Sequence, residues 1–144
     1  MAKGQAMKNA GLLIMRVGIG AMFIMHGWPK LSGGLETWTA LGKAVESVGI
    51  SFWYPFWGFM AASSEFWGGI FLILGSFFRP ACFFMAMTMI VAASMHVQKG
   101  DGIKGAAHAL EMGIVFFSLF FIGPGDSTIN IFTRALKKKS AGEE

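Results

Sequence analysis

The chain has 144 residues, of which 54% are hydrophobic, 15% aromatic and only 14% charged, whereas soluble domains average roughly 25% charged residues. Fifteen Phe, eleven Met and five Trp are more apolar bulk than a small soluble core hides, so lipid is the expected solvent and a single domain, residues 1–144, the expected organisation. The formal net charge of +4 is too small to signal nucleic-acid binding, and the lone cysteine, Cys82, excludes an intrachain disulfide or a CxxC redox pair.

A helix that crosses a bilayer needs about 20 mostly apolar residues. Four segments qualify, at about 10–28, 54–75, 80–98 and 106–123. The expected fold class is therefore all-α: an integral membrane four-helix bundle, with a short amphipathic helix on the outer surface between spans 1 and 2. Span 1 carries Arg16 and His26. Lys3 and Lys8 ahead of an apolar run imitate a signal peptide, but Arg16 interrupts the run and no A-x-A pattern follows, so the span is expected to be retained. In the connection 29–53, Leu35, Trp38, Leu41, Val45 and Val48 recur near helical spacing, which predicts the amphipathic helix that caps the bundle or lines the entrance to a site. "SFWYPFW" (51–57) supplies an aromatic belt at the outer interface. Pro80 suits the first turn of span 3, and "GPG" (123–125) stops span 4.

Four spans place both termini on one side. That side holds Lys3, Lys8, Arg79, Arg134, Lys137, Lys138 and Lys139, against Lys30, Lys43, Lys99 and Lys104 on the other. The positive-inside rule then predicts a multi-pass protein of the cytoplasmic (inner) membrane with both termini cytoplasmic.

Span 2 carries one charge, Glu65, in "AASSEFWGGIFLILG". A charge at the bilayer centre costs at least about 2.5–3.5 kcal/mol, so it faces protein or trapped water and finds a partner. The helical neighbours of Glu65 are Gly58, Ala61, Ala62, Gly68, Gly69 and Leu72, mostly small residues that let helices approach closely. Glu65 is thus expected on a packing face, paired with Arg16 of span 1. Two readings of that pair stay open: a pin between two helices, or the charged floor of a ligand cavity with a proton-handling carboxylate.

The other polar residues gather toward the outer end: His26 late in span 1, His96 late in span 3, and His108 with Glu111 early in span 4. His108 and Glu111 are three apart and share a helix face. The short loop "VQKGDGIKGAA" makes spans 3 and 4 antiparallel neighbours, which predicts His96 within reach of His108 or Glu111. His26, His96, His108 and Glu111 are suitable metal ligands, two of the histidines suit haem ligation, and His with Glu suits hydrogen bonding and protonation of a quinone carbonyl. No HExxH, tight ligand spacing or CxxCH selects among these. The plainer reading of His108 is a satisfied interfacial polar residue. Met15, Met22 and Met25, or Met85, Met87 and Met89, are read as core or lipid contacts in preference to a copper path. Cys82 is read as inert packing.

Taken in order, these residues resemble one family. "LLIMRVGIGAMFIMHGWPKL" (12–31) is similar to the opening of the DoxX family: an arginine in the first span, a phenylalanine, then H-G-x-x-K-[LF]. Arg16, Phe23, His26, Gly27, Lys30 and Leu31 match it. "EFWGGIFLILGSFFRPA" (65–81) resembles the second span. His96 with Gly100 and Gly102 resembles the end of the third. Glu111 with "GPGDSTIN" (123–130) resembles the fourth and its G-P-G-x-x-S-L-D terminus, departing from it at Thr128, Ile129 and Asn130. The resemblance implies a four-helix membrane bundle. It also implies a range of roles: subunits of a thiosulfate:quinone oxidoreductase, superoxide, thiol-stress or quinone-resistance proteins, and more distantly chaperones or cargo receptors.

The leading expectation is a membrane subunit of a redox system that binds a quinone or similar ligand in the outward half of the bundle, haem or metal being the other cofactor options. His26, His96 and Glu111 would exchange protons or orient the ligand, His108 and Lys30 would stand near the mouth, and Arg16 and Glu65 would form the floor. A partner redox subunit and a homo- or hetero-oligomer are expected with it. The competing expectation is a non-enzymatic scaffold, assembly factor or chaperone whose buried polar residues serve helix packing.

Overall fold

The computed structural model of the chain describes residues 2–126. Thr128, Ile129, Asn130, Arg134 and Lys137 to Lys139, which entered the motif and charge arguments, lie outside the described residues. The described elements are all helical: α1 (Ala2–Ser32), α2 (Gly34–Gly42), a 3₁₀ segment (Lys43–Val48), α3 (Tyr54–Leu74), α4 (Phe78–Gln98) and α5 (Gly102–Ile122). Four of them, α1, α3, α4 and α5, are long and apolar enough to cross a membrane, with mean hydropathies of 1.2 to 1.7. α1 starts earlier and ends later than the apolar pattern of 10–28 marks, and α5 starts four residues before 106, because helical backbone continues past the apolar stretch at each end.

The helices form an antiparallel bundle in which neighbours in sequence are neighbours in space, α1 on α3, α3 on α4 and α4 on α5. The end where α1 begins and α5 finishes is called proximal here, and the end that carries α2 distal. α1 and α3 approach backbone to backbone. A Cβ on Gly20 would stand 2.6 Å from the carbonyl oxygen of Gly69, one on Gly69 equally close to that of Gly20, and one on Gly27 would press on the backbone of Phe66. Small residues permit this spacing, as they do generally between membrane helices. The shared core runs through Phe23, Leu72, Phe78, Cys82, Met85, Met89, Ala93, Ala106, Ala109, Phe116 and Leu119.

Both α3 and α4 are entered through left-handed residues, Trp53 (φ 55°) and Phe77 (φ 48°), with Pro55 and Pro80 close behind in the first turn, where a missing N–H costs little. Phe52, Trp53 and Phe56 are exposed, as the aromatic belt requires. In the amphipathic segment, Trp38, Leu41 and Val45 turn inward while Leu35 and Val48 are exposed. The inward face is tied down: the Trp38 indole N–H donates to the Lys30 carbonyl at 3.0 Å, its ring meets Phe59 edge-on at 5.0 Å, and Gln98 donates to the Ser47 carbonyl at 2.9 Å. α2 and the 3₁₀ segment thereby form a lid over α1, α3 and α4.

Candidate functional site

The two buried charges of the spans are Arg16, fully buried, and Glu65, 4% exposed. They are not each other's partners. Lys30, in the last turn of α1, donates to Glu65 Oε2 at 2.6 Å and Oε1 at 2.8 Å. Arg16 donates Nε–H to the Leu72 carbonyl (2.8 Å), Nη2–H to that of Ile73 (2.9 Å) and Nη1–H to that of Pro124 (2.6 Å). The expected Arg16–Glu65 pair is corrected by the register of α1 against α3. Arg16 stands level with residues 72 and 73, about 10 Å along α3 from Glu65 at about 1.5 Å per residue. Two of the carbonyls it donates to, those of Leu72 and Ile73, belong to the last turn of α3, where a cation is favoured by the helix dipole. Its guanidinium also lies over the Phe78 ring, 5.5 Å from the centroid.

The fourth side of the bundle, between α5 and α1, is built differently from the other three. Among the described residues no Cα atoms of these two helices come within 8 Å. The space is bridged by large side chains, Phe23 edge-on to Phe116 at 4.9 Å between centroids. One turn further along α1, and about two along α5, His26 faces His108, ring centroids 6.4 Å apart. Phe23 also lies 6.5 Å from the His26 ring on its own helix. His26, His108 and Glu111 are exposed, and Glu111 stands one turn along α5 from His108. The result is a seam with an aromatic floor and two imidazoles at its rim, Glu111 following one turn along α5.

His96 is not drawn into this group. Its imidazole Nδ1 is paired with Asp101 Oδ2 at 2.8 Å, because the tight α4–α5 turn folds Asp101 back onto the last turn of α4. The expected approach of His96 to His108 or Glu111 is therefore replaced by a loop contact. Among the described residues no three His, Cys, Asp or Glu side chains gather closely enough to hold a metal ion. Two histidines on separate helices, His26 and His108, can act together on one ligand; a four-residue metal cage of His26, His96, His108 and Glu111 is not assembled. Lys30 is spent on Glu65 and not on the rim. An apolar groove of about 370 Å³ between α3 and α4, lined by Met60, Trp67, Phe71, Phe77 and Phe84 among others, includes none of these polar residues.

Sequence reasoning missed Asp101 and Pro124 as partners and the Lys30–Glu65 pair. The last was signalled by the spacing itself. Lys30 follows Gly27 by three, and Glu65 precedes Gly69 by four, so each stands about one turn distal to a glycine on the α1–α3 face.

The sequence profile of the DoxX family matches residues 11–97, from the start of the span with Arg16 to the residue after His96. The chain belongs to the DoxX family. This DoxX protein is also 27% identical over 137 residues to the Inner membrane protein YqjF of Escherichia coli (strain K12), covering 92% of the present chain and 97% of YqjF. No solved structure matches it. Family membership and four apolar helices make it a multi-pass membrane protein.

Proposed function

We propose that this DoxX protein is a membrane subunit of a redox system and that it binds a quinone or a similar flat, lipid-soluble ligand at the α1–α5 seam. The observation that carries the reading is the His26–His108 juxtaposition, 6.4 Å between rings, directly above the Phe23–Phe116 pair. Imidazoles can donate to or accept from ring oxygens and pass protons to them. The aromatic floor offers edge and face contacts to a planar ring. Glu111 supplies an acidic group for proton exchange with the surface. A quinone accepts two electrons and two protons on reduction; the histidines and Glu111 handle the protons, and a partner subunit supplies the electrons, since lone, buried Cys82 offers no dithiol for the purpose.

The likeness to YqjF and the lysine and arginine distribution support the cytoplasmic (inner) membrane as the location, with both termini cytoplasmic. In that orientation the seam's polar rim faces outward. The test is equilibrium binding of a short-tailed benzoquinone to protein in lipid nanodiscs. His26→Ala and His108→Ala are each expected to weaken binding by about tenfold or more, the worth of about 1.4 kcal/mol. Undiminished binding in both variants would overturn the reading.

A second reading is favoured by a different observation. Both buried charges are engaged in helix-to-helix contacts, Lys30–Glu65 and Arg16 with carbonyls of α3 and Pro124, as a scaffold or assembly factor requires. Loss of partner assembly in Lys30 or Glu65 variants, with no ligand bound by the wild type, is the outcome that selects it.

A further inference from the structure

We infer that the α1–α5 seam is a side portal, pinned shut at its proximal end and open to the bilayer at its distal end, through which the ligand enters from lipid and not from water. The inference rests on the site reading above and adds the route.

Three sides of the bundle are closed by intimate contact: Gly20 against Gly69 for α1–α3, Ser64 hydrogen-bonded to Thr88 at 2.7 Å and Gly68 against Met85 for α3–α4, and buried Ala93, Ala106 and Ala109 for α4–α5. The fourth has no backbone approach within 8 Å among the described residues. The hydrogen bonds that tie α1 to the end of α5 lie at the proximal end: Asn9 Nδ2 to Asp126 Oδ2 and Arg16 Nη1 to the Pro124 carbonyl, both 2.6 Å. At the distal end none crosses the seam among the described residues, where His26 and His108 face each other without bonding. The lid of α2 and the 3₁₀ segment packs on α1, α3 and α4 and not on α5, so it leaves the distal seam uncovered.

Depth decides what the opening meets. His26 lies six residues before the end of α1, and His108 six residues after the start of α5. At about 1.5 Å per residue both sit about 9 Å inside the distal helix ends. A helix of 21 residues such as α5 spans about the 30 Å of the hydrocarbon layer. Measured from the apolar stretches 10–28 and 106–123, each histidine is two residues, about 3 Å, inside the distal edge, so the two imidazoles stand at the distal margin of that layer, and the exposed side chains Met22 and Met25 on α1 and Ile114 on α5 are apolar. A polar rim at that depth suits a lipid-dissolved molecule with a polar ring, arriving sideways, and disfavours a water-soluble one.

The test measures the association rate of a decyl-tailed benzoquinone delivered from vesicles to protein in nanodiscs. Val115→Trp and Met22→Trp add bulk on α5 and α1 to narrow the lips of the seam while both histidines are kept, and Met87→Trp adds the same bulk on the exposed face of α4. Association is expected to slow by at least about tenfold in the first two, within the range over which gating changes on-rates, and to stay at the wild-type rate in the third. Wild-type rates in Val115→Trp and Met22→Trp, with His26→Ala still losing affinity, would overturn the portal and keep the site. Wild-type affinity in His26→Ala and His108→Ala would overturn the site and the portal with it.

Discussion

Lys30 reaches back along α1 to place its ammonium on both oxygens of Glu65, at 2.6 and 2.8 Å. The pair is lopsided. The Glu65 side chain is 5% exposed and that of Lys30 35%, so the carboxylate depends on the lysine more than the reverse. Removing one member of a buried ion pair typically costs about 3–5 kcal/mol, because the survivor stays buried and unpaired. Lys30→Met strands Glu65 and is expected to fall in that range. Glu65→Gln leaves an ammonium that can extend toward water and is expected to cost about half as much or less. Denaturant titration in mixed micelles checks the order of the two; equal losses would contradict the asymmetry.

Arg16 joins α1, the end of α3 and the segment after α5 through three carbonyls. A lysine keeps the charge but not the planar fork that reaches separate acceptors. Arg16→Lys is expected to lose about 2 kcal/mol or more, each charged hydrogen bond being worth about 1.5–3 kcal/mol. The same variant should loosen the proximal end, seen as faster hydrogen exchange at the C-terminal end of α5. Wild-type stability and exchange would show that charge alone, and not the fork, is what the position needs.

Gly18 and Gly20 are two residues apart on one helix and differ in surroundings. A Cβ on Gly20 meets the Gly69 carbonyl at 2.6 Å, whereas one on Gly18 meets nothing within 4 Å. Gly20→Ala is expected to push α1 from α3 and cost about 1–3 kcal/mol, the usual range for overpacking. Gly18→Ala is expected to be neutral or to stabilise by up to about 1 kcal/mol through helix propensity. The thermal midpoints of the two purified variants check this, and a matching loss in both would contradict the close α1–α3 approach.

Much of this arrangement is readable from residue order. The small residues around Glu65 place it on a packing face, and Gly58, Ala62, Gly68, Gly69 and Leu72 are indeed buried with it. The four spans follow from apolar length alone. What the order does not carry is the register between helices. Arg16 and Glu65 are the most eye-catching charges of spans 1 and 2, yet their pairing depends on which residues of α1 and α3 stand level. The close approach of Gly20 to Gly69 and of Gly27 to Phe66 sets that register; with α1 continuing to Ser32, it brings Lys30 level with Glu65 and Arg16 level with the end of α3. The same gap misplaces His96. A short loop correctly predicts that α4 and α5 are neighbours but does not say which way His96, in the last turn of α4, is directed, and Asp101 captures it. The α1–α5 seam was out of reach for a further reason: Phe23 and Phe116 are far apart in sequence, and nothing local marks them as partners.

His96 and His26 separate two accounts of the distal end. With His96 held by Asp101, His96→Ala and Asp101→Asn are expected to leave quinone affinity within about twofold of wild type, less than about 0.5 kcal/mol. Both should instead raise hydrogen exchange in the α4–α5 turn. A tenfold loss of affinity in His96→Ala would return His96 to the binding group and contradict the loop role.

The most direct measurement of the central claim is photolabelling with an azido-benzoquinone in nanodiscs, followed by peptide mass spectrometry. The account predicts label on the stretch of α1 around 22–26 and the stretch of α5 around 108–116, competed away by unlabelled quinone and lost in His26→Ala. Competable label confined to the α3–α4 groove, at Met60 to Phe71 or Phe77 to Phe84, would contradict it.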